Sequence, residues 1–114
     1  MFDRGSVYLE KLYPSKGHEV GKKRPVLILQ NDVLTKAGHT TVIVLPLTTQ
    51  LIDNTYPLRF RLQERGSLQK VSDILCDQVR AIDINRLESK PLTSLEDFEL
   101  QTIEEQVKAI LAFN

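Results

Sequence analysis

This chain is short of the residues that usually announce a chemistry. In 114 residues it has one cysteine, two histidines and no tryptophan. Cys76 alone closes no internal disulfide, and no His/Cys grouping has the spacing of a zinc site, so neither metal nor cofactor is expected. No apolar run approaches the roughly 20 residues that span a bilayer. Asp3 and Arg4 leave no apolar signal-like start. A cytoplasmic protein without membrane attachment is the expectation. Net charge is missing too: 15 Lys/Arg balance 15 Asp/Glu, so bulk electrostatics gives nucleic-acid binding no support.

What is present is an ordinary globular composition, 41% hydrophobic and 26% charged, which argues against disorder. A chain of this length is expected to form one domain, residues 1–114, with a core that needs no staples. The charges are spread unevenly. Residues 1–70 hold 11 Lys/Arg against 6 Asp/Glu, and residues 71–114 hold 4 against 9. A basic front part could carry phosphate contacts while the acidic part faces elsewhere. The plainer account is that the acidic part is one solvated helix face.

Residues 5–12 partly alternate and read as a first strand. Turn chemistry follows in Y-P-S-K-G, and the loop continues to Lys23. Residues 24–30 form a continuous apolar strand that tolerates Pro25 only near its start. Asn31 and Asp32 cap a helical turn reaching Lys36, and Gly38 ends it. Residues 40–47 are a third strand, rich in β-branched side chains. In residues 57–63, Leu58, Phe60 and Leu62 alternate with Arg59, Arg61 and Gln63, which predicts one face on the core and a basic face in water. Residues 71–82 read as a strand broken near Asp77 and Gln78, 83–86 as a helical turn, and 87–92 as a short strand or connector. Thr93-Ser94-Leu95-Glu96 matches a capping box opening a helix. Its predicted apolar stripe is Leu95, Phe98, Ile103, Val107, Ile110 and Leu111. The fold class is mainly β: short antiparallel strands in a small barrel, with a terminal helix packed on it.

Polar groups gather at the predicted strand ends. Residues 17–32, G-H-E-V-G-K-K-R-P-V-L-I-L-Q-N-D, run a loop holding His18 and Glu19 into Arg24 at the mouth of a buried strand. Residues 42–50, V-I-V-L-P-L-T-T-Q, end a second buried strand in Thr48, Thr49 and Gln50. There is no serine–histidine–aspartate set and no glycine-rich phosphate loop. Such groups are too poor to activate water against a stable bond, but they suit a substrate that brings its own nucleophile. RNA does, because its 2′-OH attacks the adjacent phosphate when held in line. The protein then needs a base, a cation and an acid, and arginine's fork matches a phosphate. Each residue also has a plainer reading. Arg24 would pair with Glu19 or Asp77 on the surface, and the threonines would satisfy local amides.

At these same residues the chain resembles the MazF/PemK family of bacterial toxins. The ordered set G-H-E-x(4)-R-P, P-L-T-T-Q and C-D-Q-V-R-x-I-D carries the resemblance, which extends over almost the whole chain. It implies an SH3-like barrel with a C-terminal helix, acting as a homodimer. It further implies a metal-independent endoribonuclease that cuts single-stranded mRNA, leaves a 2′,3′-cyclic phosphate and a 5′-OH, and is inhibited by a MazE-like antitoxin. By position, Arg24, Thr48 and His18 match catalytic or assisting residues. Glu19, Lys22, Lys23, Thr49, Gln50, Arg59, Asp77 and Gln78 fall to RNA binding or support. The PemK branch has an arginine two residues before the position of Asp77, where this chain has Leu75, so that branch's acid–base pairing does not transfer whole. A gyrase-inhibiting toxin of the CcdB type and a catalytically silent binding module are the alternatives.

Overall fold

The computed structural model describes residues 1–12 and 22–114. Among the described residues there are seven strands: β1 (Ser6–Lys11), β2 (Lys23–Ile28), β3 (Thr41–Thr48), β4 (Arg59–Leu62), β5 (Ser72–Leu75), β6 (Arg80–Asp83) and β7 (Thr93–Ser94). Two α-helices, α1 (Asp32–Lys36) and α2 (Asp97–Leu111), complete the chain with a 3₁₀ turn at Ile84–Arg86. The sheet is antiparallel and runs β4-β5-β3-β2-β1-β7, with β6 also on β3. It curls into a half-barrel closed by α2.

The division of β3 creates the curl. Its first half pairs with β6, from Thr41↔Asp83 to Val44↔Arg80. Its end pairs with β5, at Leu47↔Ile74 and Thr48↔Asp73. The predicted break near Asp77 and Gln78 is therefore where the chain leaves one half of β3 for the other. Both faces of the sheet are covered, which explains the unbroken apolar run of β2. Val7, Leu27, Leu45, Leu47 and Ile74 pack under α2 with Ile103 and Val107. Tyr8, Val26, Ile28, Val42, Val44 and Ile82 form a second cluster, over which Leu87 and Phe2 close. The Phe2 and Tyr8 rings meet edge to face at 4.8 Å.

The α1 reading holds, with Asn31 Oδ1 accepting from Val33 N at 2.9 Å. The start of α2 does not. Thr93 pairs with Val7 in β7, so its hydroxyl is not the cap, and the helix begins at Asp97. Glu99 reaches back to Glu96 N at 2.9 Å and takes a two-toothed grip on Arg65, at 2.6 and 2.7 Å. The apolar stripe also needs correcting: Phe98 and Leu111 are exposed, while Glu99 and Gln106 are buried. The turn before β5 needs glycine at Gly66, whose φ is +53° and whose added Cβ would meet the Leu92 carbonyl oxygen at 2.8 Å.

Gln106 is the polar link between helix and sheet. Its Nε2 donates to the Pro57 and Arg59 carbonyls at 2.8 and 2.9 Å. Gln106→Leu keeps the bulk and removes both bonds, so it should cost about 1–3 kcal/mol and lower Tm by roughly 4–10 °C. Thermal unfolding followed by circular dichroism reads this, and an unchanged Tm would show that those carbonyls are satisfied without the side chain.

Candidate active site

β1 and β2 place Glu10 opposite Arg24. β2 and β3 pair Val26 with Pro46, and two residues further in that register Arg24 falls beside Thr48. Thr48 pairs with Asp73 on β5, and Asp73 with Arg61 on β4. Directly paired residues share a face of the sheet. One polar row, Glu10–Arg24–Thr48–Asp73–Arg61, therefore crosses five strands at one end of the half-barrel.

Both carboxylates in this row are buried, and both are neutralised by pairs of arginines. Glu10 is fully buried. It accepts from Arg80 at 3.0 and 3.3 Å, and Arg86 lies 3.7 Å away. Asp73 is 1% exposed. Arg61 Nε donates to its Oδ1 at 2.6 Å, while Arg59 Nη1 and Ile52 N donate to its Oδ2 at 3.1 Å each. Burial pushes the Asp73 carboxyl up, but the bonds from Arg61, the Ile52 amide and Arg59 outweigh it and hold it below the ordinary carboxylate range. The basic face predicted for β4 is thus not in water: Arg59 and Arg61 are half-buried and turned onto Asp73. Sequence reading missed Glu10 and Asp73. The available signal was a carboxylate set in each apolar pattern, after V-Y-L in β1 and inside V-S-D-I-L-C in β5.

Glu10 is engaged by Arg80 and Arg86, so it does not pair with Arg24, and the expected pair with Glu19 lies outside the described residues. Arg24 lines a groove of about 390 Å³ with Leu12, Lys22, Lys23, Thr48, Thr49 and Ser72. Among the described residues neither Arg24 nor Lys22 has an ion pair, whereas Lys23 is held by Glu88. The surface pair of Arg24 with Asp77 does not form. Thr48 Oγ1 accepts from Gln50 N at 3.1 Å. The local-amide reading of Thr48 is therefore right, and it leaves the hydroxyl hydrogen free to donate outward. Thr49 is exposed in the groove lining, while Gln50 is exposed but does not line it.

Asp77 and Gln78 are exposed in the turn after β5 and do not line this groove. β5 runs antiparallel to β3 with Asp73 opposite Thr48, so the chain moves away from the level of Thr48 through Leu75 before it turns at Asp77. Cys76 is buried, and burial followed by the charge of Asp77 pushes its thiol up to about 12, which excludes a reactive thiolate. His18 and Glu19 lie outside the described residues. No cluster that could hold a metal exists among those described, and no described helix is long and apolar enough to cross a membrane.

A curled sheet built this way offers an extended anion a shallow cationic seat rather than a deep cavity. Residues 3–111 match the family described as PemK-like, MazF-like toxin of type II toxin–antitoxin system. The chain belongs to that family. Over its whole length it is 36% identical to the Endoribonuclease MazF of Staphylococcus saprophyticus, covering 94% of that protein. Its fold is similar to the Mycobacterium tuberculosis toxin MazF-mt6, with a TM-score of 0.76 at 21% identity over 96% of this chain and 98% of that one. It is also similar to a chain of a Deinococcus radiodurans MazE-MazF crystal structure, with a TM-score of 0.78 at 20% identity over 98% and 97%.

The carboxylates of Asp73 and Glu99 are both held low, Glu99 chiefly by its bond from Arg65. A depressed folded-state pKa adds stability above the unfolded value and loses it as pH falls through the folded one. Tm should therefore hold from pH 7 to about 5 and fall below about pH 4. Asp73→Asn should lower Tm at pH 7 and flatten that fall, because Arg59 loses its carboxylate and Arg61 keeps only Asp53. Parallel Tm–pH curves for the two proteins would show that Asp73 is not the group responsible.

Proposed function

We propose that this endoribonuclease toxin cuts single-stranded mRNA by letting the substrate's own 2′-OH attack the neighbouring phosphate. The observation that carries this reading is Arg24 beside Thr48 in one groove, with no ion pair to Arg24 among the described residues and the nearby carboxylates of Glu10 and Asp73 already engaged. Arginine stays protonated at working pH, so Arg24 contributes charge and a fork to the phosphate oxygens as negative charge builds there. Thr48, whose oxygen already accepts an amide, donates its hydroxyl hydrogen and fixes the backbone in line. Lys22, Lys23 and Thr49 hold the flanking chain.

The 2′-oxygen forms its bond to phosphorus as the bond to the 5′-oxygen breaks. A base takes the 2′-OH proton, and the departing 5′-oxygen gains one. The products are a 2′,3′-cyclic phosphate and a 5′-OH, with no step that needs a metal. No described residue lining the groove carries a carboxylate or an imidazole. His18 and Glu19, four and three residues before Lys22 in sequence, are therefore the candidates for the base. Asp77 and Gln78 support or contact the RNA away from the cut phosphate. We further assign residues 1–114 to one toxin domain acting as a cytoplasmic homodimer, cutting at a defined sequence. A MazE-like antitoxin whose acidic segment fits the cationic groove would inhibit it.

Purified protein should cut an unstructured RNA in EDTA, leaving 5′ ends that a kinase labels without prior phosphatase. Arg24→Ala should lower the rate by about 100-fold or more, and Thr48→Ala by about 10-fold. Full activity in Arg24→Ala, or cutting that EDTA abolishes, would overturn the mechanism. Inhibition of DNA supercoiling without RNA cleavage would move the protein to the gyrase-inhibitor reading.

A further inference from the structure

We propose that Glu88 belongs to the RNA site, as an internal stand-in for a substrate phosphate that holds Lys23 until RNA displaces it. The inference rests on the ribonuclease reading and adds to it a residue that sets affinity for RNA. In sequence Lys23 sits between Lys22 and Arg24, the two groove cations that have no ion pair among the described residues. Its own ammonium lies 2.5 Å from the Glu88 carboxylate. That pair spans a strand. Lys23 is on β2, β1 lies between β2 and β7, and Glu88 N donates to the Leu9 carbonyl on the far edge of β1 at 2.9 Å. Two strand spacings are about 10 Å, so the stem of Lys23 is laid across β1, away from Thr48. There it also lines a second hollow with Leu9 and Leu92.

Three features make this pair exchangeable. First, it faces water: the side chains of Lys23 and Glu88 are 47% and 33% exposed, and ion pairs in that setting are weak. Second, only one partner is fixed. Glu88 is rooted by its amide bond to Leu9 and by the buried Leu87 beside it. Lysine carries a point charge on a flexible four-carbon stem, and that charge pairs with phosphate as readily as with carboxylate. A phosphate beside Arg24 therefore offers Lys23 the charge that Glu88 supplies without RNA. Third, the exchange does not strand an acid. Lys11 stands opposite Lys23 in the β1–β2 register and shares its face of the sheet, so a cation stays near Glu88 when Lys23 leaves. The groove thus rests with Lys22 and Arg24 ready and a third cation in store, released only where a phosphate competes for it.

The test uses the full chain and an RNA oligonucleotide spanning a mapped cut site, with a 2′-O-methyl group on the attacking oxygen so that it binds uncut. Dissociation constants are measured at low salt, where exposed charges are least screened. Glu88→Gln should tighten binding about 2- to 5-fold, the factor that corresponds to one exposed ion pair. Lys23→Gln should weaken binding. In the Lys23→Gln background, Glu88→Gln should then change nothing. Equal tightening in both backgrounds would reflect only the loss of a nearby negative charge, and would overturn the exchange while leaving the ribonuclease reading intact. A fall in Tm of Glu88→Gln with unchanged or weaker binding would make the pair a structural tie and overturn it likewise. Unmodified RNA neither cut nor bound by the wild-type protein would overturn both.

Discussion

β3 is shared along its length between two partners, and that sharing sets the rest of the architecture. One edge pairs with β2, while the other passes from β6 to β5. A strand that changes partner midway cannot keep a flat sheet, because its two neighbours diverge with the twist. The chain between β5 and β6 must then bridge the change, which places Asp77 and Gln78 in an exposed turn. The same division sends the end of β3 towards β5 and β4, so Thr48 meets Asp73 and, beyond it, Arg61.

Two buried carboxylates follow from this geometry. A buried charge is tolerated only when paired and hydrogen-bonded, and each carboxylate here recruits two arginines. Four of the arginines on this side of the sheet, Arg59, Arg61, Arg80 and Arg86, are spent in this way. Their counter-charges are fixed inside the protein, so they offer little net field to solvent. Arg24 gains its distinct status by contrast. It faces Glu10 across β1 and β2, but Arg80 and Arg86 already satisfy Glu10. A single buried acid with two cations thus leaves a third arginine without an ion pair among the described residues, in a chain whose net charge is zero.

Most strands were legible because hydrophobic alternation and turn residues set them locally. Pro25 near the start of β2, Asn31 capping α1 and the break near Asp77 all rest on short-range chemistry. The errors share one cause, which is contact distant in sequence. Thr93 has the chemistry of a cap, but Val7, far back in the chain, takes it into a strand. Arg59 and Arg61 alternate as a solvent face should, yet Asp73 draws both inward. Phe98 fits a helical stripe, but Leu95 and Leu100 fill the contact with the core. The site was legible in part. Arg24, Thr48, Lys22, Lys23 and Thr49 do meet in one groove, because each sits at or beside the end of a strand. Asp73 was overlooked because a lone acid inside an apolar run has no partner visible in sequence.

The separation of Arg24 from the Asp73 cluster has a chemical consequence. A catalytic cation must stabilise charge that appears only as the reaction proceeds. An arginine already locked to a carboxylate serves that purpose poorly, since its field is largely cancelled before substrate arrives. Arg59 and Arg61 suit a different task, because their bonds to Asp73 and to the carbonyls of Gln50 and Ile52 fix position more than they project charge. Shape and hydrogen-bond direction discriminate one base from another, while exposed charge grips any phosphate alike. A chain with zero net charge gains little from long-range attraction, so its grip on an anion has to come from groups as local as Arg24 and Lys22 in the groove.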